Sequence, residues 1–153
     1  MAILEVMSGS YDNEDAVKNV CNYIMDYKKT CGFVGGRSVL PGTAVLEMET
    51  VQNIWGEQRG RRMRHFILSF DDIDDVTFEE AYAIASDVAE YYAASYQIIF
   101  GVHISQAHTH IHFGLNTVSF IDGKKFSEGI SEFIAFRKFV DKVLSEYGIE
   151  LSY

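Results

Sequence analysis

One proline, two cysteines and one tryptophan are all that this 153-residue chain contains of those residue types. A single proline, Pro41, leaves no room for a polyproline segment or a proline-rich linker. Cys21 and Cys31 are too few for a disulfide scaffold, and their spacing suits no metal knuckle. Free thiols in a reducing, cytoplasmic setting follow as the expectation. No run of about eighteen apolar residues occurs, so no membrane segment is expected. The opening residues Met1-Ala2-Ile3-Leu4-Glu5 lack the charged head and apolar core of a signal peptide. Positive charge is also scarce. Lys and Arg total 13 against 22 Asp and Glu, a net charge of −9, where a dedicated nucleic-acid binder is usually basic.

What is present is apolar and aromatic mass, 48% and 14% of the residues, which excludes disorder and suffices for one domain spanning 1–153 with a real core. The scarce cations are clustered. Arg59, Arg61, Arg62 and Arg64 fall within six positions, and Lys28-Lys29 and Lys124-Lys125 form pairs. From composition, phosphate contact and a solvated lead-in to a strand weigh equally for the arginine run.

Periodicity predicts an α+β domain, a central antiparallel sheet with helices packed on it. Strands are expected near 3–7, 64–70, 96–103 and 108–119. Helices are expected near 14–27, 43–54, 77–94 and 131–147. Asp12 or Asn13 is the expected cap of the first helix, and Thr77-Phe78-Glu79-Glu80 is a capping box for the third. At 100° per residue, Tyr23 and Tyr27 fall on the apolar side of the first helix and should face the protein body. Val34 is expected to pair only briefly, at an edge.

Four of the five histidines lie within ten residues, at 103, 108, 110 and 112. Alternate side chains of a strand leave one face, so His108, His110 and His112 form a row of imidazoles. If residues 104–107 turn tightly, His103 stands opposite His108 at the head of the row. One histidine on such a face is usually a hydrogen-bonded core residue. Four together point to a metal site rather than a buried polar cluster, and an all-imidazole set suits Mn²⁺, Zn²⁺ or another transition metal. Spacing alone does not choose between phosphoryl and carbonyl chemistry.

The run from Ala107-His108-Thr109-His110-Ile111-His112 to Gly123-Lys124-Lys125-Phe126, preceded by Val102-His103, resembles the third motif of plasmid relaxases. These are mobilisation nucleases of the histidine-hydrophobe-histidine type. Asn22-Tyr23-Ile24-Met25-Asp26-Tyr27-Lys28-Lys29-Thr30 resembles the family's tyrosine motif, and 43–49, 64–70 and 139–148 match in the expected order. The resemblance implies a relaxase-like fold that nicks single-stranded DNA at an origin of transfer. Tyr23 would be the nucleophile forming a 5′-phosphotyrosine, with Tyr27 as the alternative nucleophile. His103, His110 and His112 match the metal ligands. Asn116 matches a position beside them, as an outer partner or a phosphate contact, and His108 would be a further ligand, an outer partner or part of the DNA channel. The implied ion is Mg²⁺ or Mn²⁺ in function, with Zn²⁺ or another transition metal as the alternative. Arg59, Arg61, Arg62, Arg64, Lys124 and Lys125 would hold DNA, with accessory relaxosome proteins as further partners in conjugative mobilisation. His65 is read as structural. Ser105 stands where many relatives carry an aspartate, and larger relatives continue past the last helix, which implies a trimmed or compact catalytic domain. Two rivals stay open: a DNA-binding accessory module of the same fold without turnover, and an unrelated metallohydrolase in which water attacks.

Overall fold

The computed structural model describes residues 1–56, 59–104 and 108–152. Five strands, β1 (Ile3–Val6), β2 (Val34–Arg37), β3 (Met63–Ser69), β4 (Ile98–Ile104) and β5 (Thr109–Asn116), form one sheet in the order β1-β3-β5-β4-β2. Every neighbouring pair is antiparallel. The histidine strand β5 is the middle one, and from Ile111 to Asn116 all its side chains are buried. The helices are α1 (Ala16–Ile24), α2 (Tyr27–Thr30), α3 (Ala44–Trp55), α4 (Phe78–Ala89) and α5 (Ile130–Ser145).

Two cores lie on opposite faces of the sheet. Phe66, Leu68, Phe100, Val102, Ile111 and Phe113 point to one side, where α4 and α5 bring Ile84, Val88, Phe136 and Val140. Met63 and Ile99 point to the other, where α1 and α3 bring Val17, Val20, Ile24 and Met48. Strand alternation makes this division, since successive residues leave opposite faces. The histidines share the α1 face with Met63 and Ile99, because His112 and His110 follow the same parity along β5.

Several predicted boundaries shift, each for a local reason. The helix expected to run to Tyr27 stops at Ile24. Asp26 leaves the helical region, at ψ 118°, and its carboxylate accepts from Lys28 N at 3.0 Å, which starts α2 instead. Short acidic side chains compete in this way with helix continuation. At the other end of α1, Asn13 Oδ1 accepts from Asp15 N at 2.9 Å, and α1 itself starts at Ala16 without a side-chain cap. The Thr77 cap forms as expected, its hydroxyl accepting from Glu80 N at 3.1 Å. Helix α4 ends at Ala89 rather than near 94, where the backbone tightens to three-residue hydrogen bonds such as Tyr91 N to Val88 O. That turn lays Tyr91 and Tyr92 against Phe136, at ring separations of 5.4 and 4.9 Å. Gly148, at φ +71°, follows the last helix as the sequence predicts.

The hairpin register also differs. His103 pairs with His110, not His108, and Ile104 pairs with Thr109. Residues 105–107, including Ser105 and the expected tight turn, lie outside the described residues. A slip of two residues keeps every side chain on its face, so the imidazole row survives the change.

Candidate active site

Helix α1 lies across the histidine face, and glycine sets how closely. A Cβ on Gly101 would stand 2.2 Å from the carbonyl oxygen of Ile24, and one on Gly114 would stand 2.9 Å from Ile24 Cδ1. Without those side chains, the C-terminal end of α1 rests on the sheet backbone. His103 then fastens it, with Nε2 donating to the same Ile24 oxygen at 2.9 Å. The residue before that carbonyl is Tyr23, whose placement over the histidines follows directly.

The Tyr23 ring sits 5.4 Å from the rings of both His103 and His112 and 6.0 Å from His65. The His103 and His112 rings stack at 3.9 Å, and His110 lies 6.4 Å from His112. Lys29 Nζ from α2 lies 5.4 Å from the Tyr23 ring centroid. Tyr23 is 46% exposed, over imidazoles that are only 6% exposed at His103 and His112. A phenol above a sunken imidazole cluster remains accessible to a ligand. Tyr27 is 72% exposed and turned away, contrary to its expected place against the body, because the break at Asp26 ends the helical register. Open space flanks Tyr23 on both sides. One hollow of about 510 Å³ runs past Ser10, Tyr11, Asn19 and His65, and another of about 410 Å³ runs past Lys29, His103 and His110. Tyr23 and His112 line both.

Burial lowers the pKa of His65, His103, His110 and His112, to about 2 at His112 and about 4 at His65, with neighbouring imidazoles adding repulsion. At neutral pH the cluster is therefore uncharged and carries lone pairs. That donor chemistry fits a divalent ion. The side chains do not yet close around one. Among the described residues, no three His, Cys, Asp or Glu groups stand together in a ligand geometry. His103 spends Nε2 on Ile24, and its ring faces that of His112 rather than converging with it.

A profile of the relaxase family (MobA/VirD2-like, nuclease domain) matches residues 23–149. The chain belongs to the relaxase family. No curated protein matches the chain. The match begins at Tyr23 and takes in every clustered histidine. The α+β sheet fold anticipated from periodicity is the one found.

The other relaxase candidates are placed less centrally. His108 is exposed at the rim, 3.5 Å from Asp72 Oδ1. The arginine run does not form one patch over the cluster. Arg64 leaves β3 on the α5 face, opposite His65, and its Nε meets Glu128 at 3.5 Å. Arg61 also pairs with Glu128, at 3.1 Å, and its Nε donates to Gly9 O at 3.0 Å. Arg62 N donates to Tyr11 O at 2.8 Å. Much of the run thus holds the 9–11 loop in place. Lys125 donates to Arg61 O and Thr117 Oγ1, while Lys124 and Arg59 are exposed.

Asn116 is fully buried four residues beyond His112, with Gln52 and Val118 N donating to its Oδ1 and its Nδ2 donating to Gln97 and Met48 O. Its amide is saturated by protein, so it pegs α3 to the sheet rather than reaching a phosphate. Asn116→Ala leaves Val118 N and Gln97 Oε1 without this partner and Gln52 with only its bond to Arg62 O, and is expected to cost about 3 kcal/mol in denaturant unfolding. DNA affinity per folded molecule should stay unchanged.

Sequence reasoning gave Lys29 only as half of a lysine pair and passed over Tyr11. It set His65 aside. The alternation of β3 placed His65 beside Ile67 and Ser69, but only the β3–β5 register shows that this side faces the imidazole row.

Proposed function

We propose that this chain nicks single-stranded DNA at an origin of transfer by transesterification, with Tyr23 as the nucleophile. The observation that carries the reading is the half-exposed Tyr23 ring over the neutral His103–His112 pair. The phenolic oxygen attacks phosphorus, the bond to the 3′ oxygen breaks, and a 5′-phosphotyrosine forms. The phenol gives up a proton and the departing 3′ oxygen takes one, so the exchange is balanced and runs in reverse to reseal the strand. His103, His110 and His112 would hold the divalent ion, Mg²⁺ or Mn²⁺, once His103 turns from Ile24. Bound there, the ion supplies charge neutralisation at the phosphate. The Lys29 ammonium beside Tyr23 brings a further positive charge to the same place. The two hollows flanking Tyr23 suit a strand running past it in both directions. A cytoplasmic place in conjugative mobilisation, with relaxosome partners, belongs to the same reading. Among the described residues, no helix is long and apolar enough to cross a membrane.

Incubation with Mn²⁺ and a pool of randomised single-stranded oligonucleotides, followed by denaturing electrophoresis, tests the proposal. A covalent protein–DNA band is expected from the native chain and from Tyr27→Phe, and none from Tyr23→Phe. Cleavage that survives Tyr23→Phe would favour a hydrolase in which water attacks. Binding without cleavage in the native chain would favour an accessory module.

A further inference from the structure

We propose that His65, backed by Tyr11, is a positioning residue that fixes the tautomer of His112 and so aims a bare Nε2 at the metal. The proposal rests on the reading of His112 as a ligand and adds two residues that act through it. His65 Nε2 lies 2.8 Å from His112 Nδ1, and His65 Nδ1 lies 3.3 Å from the Tyr11 hydroxyl. His65 and His112 are 5% and 6% exposed, which leaves little water to satisfy those nitrogens instead.

A neutral imidazole has one N–H and one lone pair, so only two proton arrangements satisfy this chain of contacts. In one, His65 Nε2–H donates to His112 Nδ1. His112 then carries its proton on Nε2 and cannot ligate. In the other, His112 Nδ1–H donates to His65 Nε2, and His65 Nδ1–H donates to the Tyr11 oxygen. His112 Nε2 is then a free lone pair. The second arrangement is the one the site uses. Ligand imidazoles are commonly oriented by such a partner on the far nitrogen, usually a carboxylate or a carbonyl. Here a histidine takes the place, and Tyr11 lets it do so because a hydroxyl can accept.

Tyr11 is held where this role requires it. Its backbone is left-handed, at φ +46°, an uncommon state for a bulky residue. Gly9 clears space for the ring, since a Cβ there would lie 2.5 Å from Tyr11 Cζ. Arg61 and Arg62 anchor the loop through Gly9 O and Tyr11 O. Strain held by surrounding contacts is characteristic of functional positions.

Two measurements on the folded protein test this. The first is the ¹⁵N NMR spectrum of the His112 ring without metal. Its proton is expected on Nδ1 in the native chain and in His65→Gln, whose side-chain amide replaces the acceptor. It is expected to move to Nε2 in His65→Leu. A proton on Nε2 in the native chain overturns the proposal. The second is Mn²⁺ titration followed by electron paramagnetic resonance. His65→Leu should weaken binding about 10- to 100-fold, with His65→Gln close to native and Tyr11→Phe between them. If His65→Leu binds Mn²⁺ as the native chain does while His112→Ala does not, the role of His65 is refuted and the ligand reading stands. If the native chain and His112→Ala behave alike, the ligand reading itself fails, and this proposal with it.

Discussion

Gly101→Ala is expected to lower nicking by about 100-fold or more, although the substitution adds a single methyl group and touches no reacting atom. The added Cβ would sit 2.2 Å from the Ile24 carbonyl oxygen, a rigid backbone atom with no rotamer through which to yield. Relief must come from lifting the end of α1 or bending β4. Either motion carries Tyr23 off the imidazoles. A displacement of about 1 Å at a reacting group is enough for a loss of that size. Overpacking adds a stability cost of about 3 kcal/mol, so the rate is to be compared per folded molecule, at a temperature where circular dichroism shows the native fold. Gly114→Ala is the control. Its Cβ would meet Ile24 Cδ1 at 2.9 Å, and Ile99 Cγ1 and Met63 Cε at 3.3 Å, all side-chain atoms rather than backbone. It should nick within a few-fold of the native rate. Gly101→Ala acting at the native rate would show that α1 does not need its present seat.

The metal-free protein is expected to become acid-labile just below neutrality. His65 and His112 are held near pKa values of about 4 and 2 by burial, against the ordinary value of 6.5 in the unfolded chain. Between these limits the unfolded state binds more protons than the folded one. Stability therefore rises with pH across that window, is complete above about 6.5, and falls as the pH drops towards 4. Each histidine contributes a slope of about 1.4 kcal/mol per pH unit. Two of them remove about 4 kcal/mol between pH 6.5 and 5, a large share of the stability of a domain this size. The midpoint of thermal unfolding should drop by roughly 10 °C over that range. A bound ion should raise the melting temperature and keep or steepen this dependence, because it holds the folded imidazoles neutral while the unfolded chain still takes up protons. A melting temperature constant from pH 7 to 5 without metal would mean that the cluster is solvated, not buried.

Which features were legible in the sequence, and which were not, follows from the range of the interaction that determines each. The imidazole row, the Thr77 cap and the Gly148 stop depend on residues a few positions apart, and periodicity exposed them. Tyr23 was singled out by its motif, and the fold sets its ring above His103 and His112. Long-range pairing was not legible. The β4–β5 register moved by two residues, and the β3–β5 register brought in His65. Side-chain competition was also missed. Asp26 ended α1 and turned Tyr27 outward, while Glu128 and the 9–11 loop claimed arginines that composition had offered to DNA. Asn116 was placed beside the ligands by resemblance, and only the fold supplies the Gln52 and Gln97 partners that saturate it.

The most direct test of the central claim is to digest the covalent protein–DNA adduct with protease and nuclease and map the modified peptide by mass spectrometry. A nucleotide 5′-phosphate esterified to the Tyr23 phenol is the result this account predicts. A nucleotide attached to Tyr27 or any other residue, or DNA ending in free 5′-phosphates with no modified peptide, would contradict it.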